Sequence, residues 1–337
     1  IYVPEDGAES VIIHVHEMYT VMSEYFLKEK IEAEKPCRKS SSQGQLSLSI
    51  NDSVIFQSYM PDSNYESVMD KIKGELNEIV GLDKIKEYIL SLENNFKIQQ
   101  LRKKKGMKAE FPSMHMIFTG NPGTGKTTIA RIVSRYLKAA GLLSSGQLIE
   151  VSRSDLVGQY VGHTAPLTQK AVEAALGGVL FIDEAYSLYR GKDDSFGLEA
   201  IDTLVKAMED HRDNLILILA GYSMEMKEFL TANSGLKSRF PNIIEFPDYT
   251  AAELLEISKL TASSKGYRID EKAFAPLTEY FELVQNTGDR RTNGNGRMAR
   301  NKIEEAILNS SKRNITTPEV DMDLELLLLE DFNLETT

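Results

Sequence analysis

Apolar residues recur at helical spacing early in the chain. Val11, Ile12, Val15, Met18, Tyr19, Met22 and Phe26 fall on one side of a helix predicted over residues 9–34, with Lys28 to Lys35 as its charged end and Pro36 as its stop. A polar linker, Lys39-Ser40-Ser41-Ser42-Gln43-Gly44, comes next. Leu46, Leu48 and Ile50 then alternate with polar residues, Asn51-Asp52 offers a turn, and Ser53-Val54-Ile55-Phe56 follows, which predicts a hairpin. Pro61-Asp62-Ser63-Asn64 reads as a second break and bounds residues 1–64 as an accessory segment of unassigned function.

A helical stretch from Tyr65 to Glu78 leads to Val80-Gly81-Leu82-Asp83. A longer amphipathic helix carries Ile85, Tyr88, Ile89, Leu92 and Phe96 on one side and ends in Arg102-Lys103-Lys104-Lys105-Gly106. That basic run is read first as a solvated helix end, where cations suit the C-terminal dipole, and only second as a phosphate patch. Residues 111–247 alternate short apolar strands with helices. The strands are His115-Met116-Ile117-Phe118, Leu148 to Val151, Val179 to Ile182, Leu215 to Ala220 and Ile243 to Phe246. The helices begin at Lys126 and run over Thr168 to Leu176 and Leu198 to Glu209. Apolar strands alternating with helices predict a parallel sheet covered on both faces. After Asp248 the pattern becomes purely helical, through Leu254 to Leu260, Phe274 to Phe281 and Met298 to Asn309, and predicts a smaller all-α domain. The predicted units are therefore 1–64, an α/β domain with its leading helices at 65–248, and a helical domain at 249–337.

The formal net charge of −11 weighs against a nucleic-acid partner, since an acidic chain repels phosphate backbones at long range. The single cysteine, Cys37, allows no internal disulfide and no cysteine zinc site. No apolar run approaches a membrane span, and the opening Ile1-Tyr2-Val3-Pro4-Glu5-Asp6 lacks a signal-peptide pattern. The expectation is a cytoplasmic protein without a membrane partner, and a start at Ile1 reads as a trimmed or partial chain.

The sharpest chemical signal is Gly120-Asn121-Pro122-Gly123-Thr124-Gly125-Lys126-Thr127, which fits G-x-x-x-x-G-K-[ST] between a predicted strand and a predicted helix. Its glycines let backbone N–H groups turn inward on phosphates, and the helix N-terminus behind them favours the same anion. Lys126 is expected to reach the β- and γ-phosphates of ATP, and Thr127 to ligate Mg²⁺. A second witness is the strand Val179 to Ile182 ending in Asp183-Glu184. Asp183 is expected to hold Mg²⁺ and Glu184 to polarise an attacking water. Alone, an acidic pair after a strand would be an ordinary cap. Beside a complete phosphate loop it reads as catalytic.

These residues resemble the AAA+ ATPases, and more narrowly the group of stage V sporulation protein K and the red-type Rubisco activase CbbX. The likeness rests on Val80-Gly81-Leu82, Gly120 to Thr128, Asp155 to Thr164, Gly177 to Tyr186, Ala220-Gly221-Tyr222, Gly235 to Phe240 and Gly294-Asn295-Gly296-Arg297. It covers roughly residues 78–332 and leaves residues 1–64 uncovered.

The resemblance implies a sheet of order 5-1-4-3-2, a helical lid and a homo-oligomer, usually a hexameric ring. It implies that Val80, Gly81 and Leu82 line the adenine, and that Asn121, Pro122, Gly123, Thr124, Gly125 and Thr128 join Lys126 and Thr127 around the phosphates. Arg239 would be an arginine finger acting on the neighbouring subunit, although its place before the last strand reads by itself as a polar turn. Arg297 would be the lid arginine that senses nucleotide. Tyr160-Val161-Gly162 would be a pore loop that grips a client peptide, a reading favoured over a loop tyrosine packed on its own domain.

Two departures from the family pattern stand out. Gly221-Tyr222-Ser223 occupies the strand end where many members carry a sensing asparagine, which leaves Tyr222 or Ser223 for that role. Asn233-Ser234-Gly235 lacks the proline that the narrower group tends to have, which would loosen the loop aiming Arg239. The implied function is ATP hydrolysis coupled to remodelling or threading of a protein client. Rubisco activation, sporulation and secretion-linked work are all open. A nucleotide-switched scaffold is the competing reading, and a nucleic-acid motor or clamp loader is disfavoured by the charge.

Overall fold

The computed structural model describes residues 62–108, 113–232, 234–289, 291–316 and 323–335. The predicted helix over 9–34, Cys37 with its linker, and the hairpin over 46–56 lie outside the described residues. The centre is a five-stranded sheet formed by β1 (Met116–Thr119), β2 (Leu148–Val151), β3 (Val179–Ile182), β4 (Ile216–Gly221) and β5 (Asn242–Glu245). The spatial order is β2-β3-β4-β1-β5, which is the implied 5-1-4-3-2 read from the other edge. Every neighbouring pair is parallel.

The inner strands are apolar throughout because both faces are covered. Their pleat divides each run in two. Met116, Phe118, Val179, Phe181, Ile216 and Ile218 face one core, while Ile117, Leu180, Ile182, Leu217 and Leu219 face the other. Helix α1 (Asp62–Glu78) and helix α2 (Asp83–Lys104) precede the sheet, and α3 (Lys126–Ala139) follows β1. All three contribute to the first core, through Leu76, Ile89 and Ile129 among others. After β2 come a single turn, α4 (Arg153–Leu156), and α5 (Thr164–Ala175). After β3 come a 3₁₀ turn (Ala185–Leu188) and α6 (Ser195–Asp210). Helices α5 and α6 cover the second face with Val172, Ile201 and Leu204. Helices α7 (Ser223–Ala232) and α8 (Ser234–Arg239) lead into β5.

The lid consists of α9 (Ala251–Ser264), α10 (Phe274–Thr287) and α11 (Gly296–Thr316), with a two-stranded parallel ribbon of β6 (Arg268–Ile269) and β7 (Leu326–Leu327). Leu254, Leu277, Phe281 and Ile303 of the lid belong to the same core cluster as Phe118 and Ile129 of the α/β part. Sheet and lid therefore share one continuous apolar interior.

Several sequence expectations are corrected. The lid is not purely helical, because two-residue strands such as β6 and β7 are too short to show a period. Asp62-Ser63-Asn64 is not a break but the first turn of α1, where short polar residues and acidic charge are favoured. Helix α5 begins at Thr164, ahead of the predicted Thr168. Its first turn holds Pro166, which is tolerated there because that N–H has no intrahelical partner. Arg239 ends a helix rather than sitting in a turn. Among the described residues, no helix is long and apolar enough to cross a membrane.

Candidate nucleotide-binding site

The loop between β1 and α3 winds through left-handed glycines, Gly123 at φ 75° and Gly125 at φ 95°, a conformation closed to most side chains. A Cβ on Gly123 would also strike the carbonyl oxygen of Gly294. Glycine is needed there for both reasons. Lys126 opens α3, and its Nζ donates to the carbonyl oxygens of Gly120 and Asn121, both at 2.8 Å. Burial pushes the amine down to about 8, while Asp183 and Asp248 act upward on it and Arg297 downward. Those influences place Lys126, Asp183, Asp248 and Arg297 in one electrostatic neighbourhood. Thr127 is the next residue of α3, and Thr128 is exposed. Thr124 is fully buried, with its hydroxyl donating to Asn121 O at 2.9 Å. The side chain of Asn121 turns to Asp248, at 2.9 and 3.0 Å.

Asp183 and Glu184 follow β3 at the sheet's C-terminal edge, and both are exposed. The amide of Glu184 donates to Asp183 Oδ1 at 3.0 Å. Glu184 has φ 47°, a strained conformation for a non-glycine residue that is concentrated at functional sites. A hydroxyl (Thr127) and a carboxylate (Asp183) form an oxygen-only donor pair. That suits Mg²⁺, which is held by one or two carboxylates together with phosphate oxygens and water rather than by a protein cage. At the end of β4, Tyr222 stacks on Tyr186 with ring centroids 5.7 Å apart. Burial first, and then the Glu184 carboxylate, pushes the Tyr186 phenol well above its ordinary value. Tyr222 therefore borders the Asp183–Glu184 edge through Tyr186. Ser223 begins α7 and is exposed.

Val80-Gly81-Leu82 reaches the same place from the N-terminal side. Gly81 (φ 63°) and Leu82 (φ 57°) turn the chain into α2, and Leu82 O accepts from the amides of Ile85 and Lys86. The Tyr249 ring lies against Gly81, and its hydroxyl lies against Gly125 while donating to Thr124 O at 3.2 Å. Arg297 is exposed in the first turn of α11. The leading segment, the phosphate loop, the edge carboxylates and the lid arginine thus converge.

Arg239 does not join them. Its carbonyl accepts from Ser113 Oγ at 3.0 Å, and Phe240 contacts His115 just before β1 begins. Arg239 thus lies at the edge where the parallel strands start, while the phosphate loop follows their ends. The four residues of β1 separate the two by roughly 13 Å. The guanidinium pairs with Glu209 and donates to Gly235 O at 2.9 Å. Tyr160, Val161 and Gly162 form the loop between α4 and α5. Tyr160 is 67% exposed, with its ring in edge contact with His163, and Val161 is 88% exposed.

Residues 116–248 match the family model described as ATPase family associated with various cellular activities (AAA), and residues 250–337 match the AAA lid domain. Stage V sporulation protein K of Bacillus subtilis is 46% identical over 240 residues, covering 71% of this chain and 74% of that protein. Protein CbbX of Cereibacter sphaeroides is 40% identical over 266 residues, covering 79% and 84%. The chain belongs to the AAA+ ATPases, in the group of these two proteins. A chloroplastic ribulose bisphosphate carboxylase/oxygenase activase of Cyanidioschyzon merolae is 41% identical, covering 79% of this chain and 89% of that one. The crystal structure of the FIGL-1 AAA domain in complex with ADP superposes with TM-score 0.53 at 20% identity, covering 75% and 80%, and shares the AAA+ fold.

Sequence reasoning passed over Asp248 and gave no role to Asn295 or Tyr249 of this AAA+ ATPase. Asp248 stood at a domain boundary and looked like a loop residue. Asn295 lay inside the quoted Gly294-to-Arg297 stretch, where its place between two glycines was the available signal of a special backbone conformation. Tyr186 likewise stood beside Asp183-Glu184 without a partner visible in sequence.

Proposed function

We propose that this AAA+ ATPase works in the cytoplasm as a homo-oligomeric ring, with six subunits as the family resemblance implies, and couples ATP·Mg²⁺ hydrolysis to remodelling of a protein client. Lys126 would face the β- and γ-phosphates. Thr127 and Asp183 would hold Mg²⁺, which when bound neutralises charge on the phosphate oxygens. Val80 to Leu82 would line the base, and Arg297 would report the nucleotide to the lid. Glu184 would take a proton from the attacking water as its oxygen bonds to the γ-phosphorus and ADP leaves.

The observation that carries the ring is the distance of Arg239 from its own phosphate loop. If Arg239 acts in phosphoryl transfer, its place at the opposite edge of the sheet suits a second copy's site rather than its own. Tyr160 and Val161 support a protein passenger, because an exposed aromatic–aliphatic tip grips side chains without sequence choice. The relatives' names speak of Rubisco activation and of sporulation, and the client here is proposed only as a polypeptide.

The test has two parts. Lys126→Ala should abolish tight ATP·Mg²⁺ binding in calorimetric titration, and unchanged affinity would overturn the site. Tyr160→Ala should leave basal hydrolysis and assembly intact while losing the ATPase stimulation given by an unfolded probe such as casein. Retained stimulation, or stimulation by DNA alone, would overturn the threading reading.

A further inference from the structure

A phosphate-binding loop that turns its N–H groups inward leaves its carbonyls facing the protein, and buried carbonyls need donors. For Pro122 and Gly123 of this loop the donors come from the lid. The Asn295 amide Nδ2 donates to Pro122 O at 3.3 Å, and the next residue's amide, Gly296 N, donates to Gly123 O at 3.1 Å. Asn295 Nδ2 also donates to Asp248 Oδ1 at 2.9 Å, and its Oδ1 accepts from Tyr249 N at 3.1 Å. Asn295 is 4% exposed and left-handed at φ 44°, a backbone state that asparagine tolerates better than most residues. Asp248 accepts from the lid through Asn295 and from the phosphate loop through Asn121, whose Nδ2 meets both carboxylate oxygens.

One carboxylate at the domain boundary thus receives an amide from each side, and one lid amide closes on the loop's own backbone. The turn that carries Asn295 also opens α11, two residues before Arg297. Loop shape, lid position and the aim of Arg297 are fixed by the same few bonds.

We propose that Asn295, anchored by Asp248, is a positioning residue for ATP: it locks the lid to the outer carbonyls of the phosphate loop, so that the loop holds its phosphate-binding shape only while the lid is seated. This rests on the reading that Gly120 to Thr127 binds the phosphates of ATP.

Asn295→Asp keeps the acceptor for Tyr249 N, removes both Nδ2 donations and sets a second carboxylate against Asp248. The dissociation constant for ATP·Mg²⁺ should rise about tenfold or more, the scale of losing hydrogen bonds to a half-buried charge. Asp248→Asn alone removes the charge and one of the two acceptor oxygens and should weaken binding as well. The exchange variant Asp248→Asn/Asn295→Asp restores a donor–acceptor pair across the boundary but not the donation to Pro122 O, so it should recover part of the affinity, a coupling that independent losses would not produce.

Calorimetric titration of each full-length variant, with circular dichroism to confirm folding, reads this directly. Asn295→Ser supplies an uncharged substitute should the carboxylate variant fail to fold, and it should also bind weakly. Folded Asn295 variants with wild-type affinity would overturn the proposal. An exchange variant no better than the worse single variant would overturn it too. Lys126→Ala separates the two levels. If it binds ATP like the wild type, the phosphate-loop reading itself fails. If it does not bind while Asn295 variants bind normally, only the lock fails.

Discussion

Arg153 grips Asp194 with two nitrogens, at 2.7 and 2.9 Å, and with the first of them also donates to Ser187 O at 2.8 Å. The pair is mostly buried, at 16% and 11% side-chain exposure. Arg153 begins the short helix that leads to Tyr160, Ser187 lies in the turn directly after Glu184, and Asp194 caps α6. One guanidinium therefore ties the exposed loop to the edge where water would be activated.

Arg153→Ala should destabilise the fold by roughly 3 kcal/mol, because it leaves a buried carboxylate without its partner. Arg153 holds the Asp194 carboxyl below the usual carboxylate range. A depressed value means that this stability is present above the unfolded pKa of about 4 and is lost as pH falls through the folded one. The wild-type advantage in melting temperature should therefore be full at pH 7 and shrink near pH 3. An advantage independent of pH would count against the ion pair as its source.

Glu184→Gln should keep ATP affinity and lower turnover by about a hundredfold or more, since an amide cannot accept the proton. Single-turnover hydrolysis measured beside ATP binding separates the two effects. Turnover near the wild-type rate would move the base elsewhere.

The Lys126 amine titrates near pH 8 because it is buried. A bound triphosphate stabilises the charged amine, so binding takes up a proton once the pH exceeds that value. ATP affinity should fall as pH rises from 8 to 10, by up to about tenfold per unit, and should be flat below pH 7 as far as this group is concerned. Lys126→Arg keeps its charge throughout and should lose that slope, which titrations at pH 7, 8 and 9 would reveal.

Arg239→Ala should spare ATP binding and cut turnover by about 10³-fold, the lower end for fingers acting in trans. Mixing it with Lys126→Ala should return part of the activity, since a subunit lacking the finger keeps a sound phosphate loop and its neighbour supplies an intact Arg239. The pairing with Glu209 adds a second arm: Glu209→Gln frees the guanidinium and should not lower turnover if Arg239 acts across an interface. Confirmed mixed rings without rescue would remove the trans role.

The strands were legible because a sheet buried on both faces turns each strand into an unbroken apolar run, as Val179 to Ile182 and Leu215 to Ala220 do. The phosphate loop was legible because backbone geometry demands glycine at fixed spacing. Contacts between distant segments were not legible. Nothing in the sequence near Asp248 indicates that Asn121 and Asn295, 127 residues before it and 47 after it, meet at its oxygens. The start of α5 was missed for a local reason, since Thr164-Ala165-Pro166 presents a polar turn with no apolar period. Arg239 was misplaced because α8 is too short to show a helical stripe.

The ribbon of β6 and β7 joins Ile269 to Leu327, and both side chains belong to the core that also holds Phe332. The lid is therefore a closed loop of chain whose clasp is made after its helices. The α/β half can gather around its sheet while translation continues, as domains commonly do. The lid cannot close until the segment through Phe332 has left the ribosome. If the carbonyls of Pro122 and Gly123 depend on that lid as proposed, a nascent chain has the nucleotide motif before it has a finished nucleotide site.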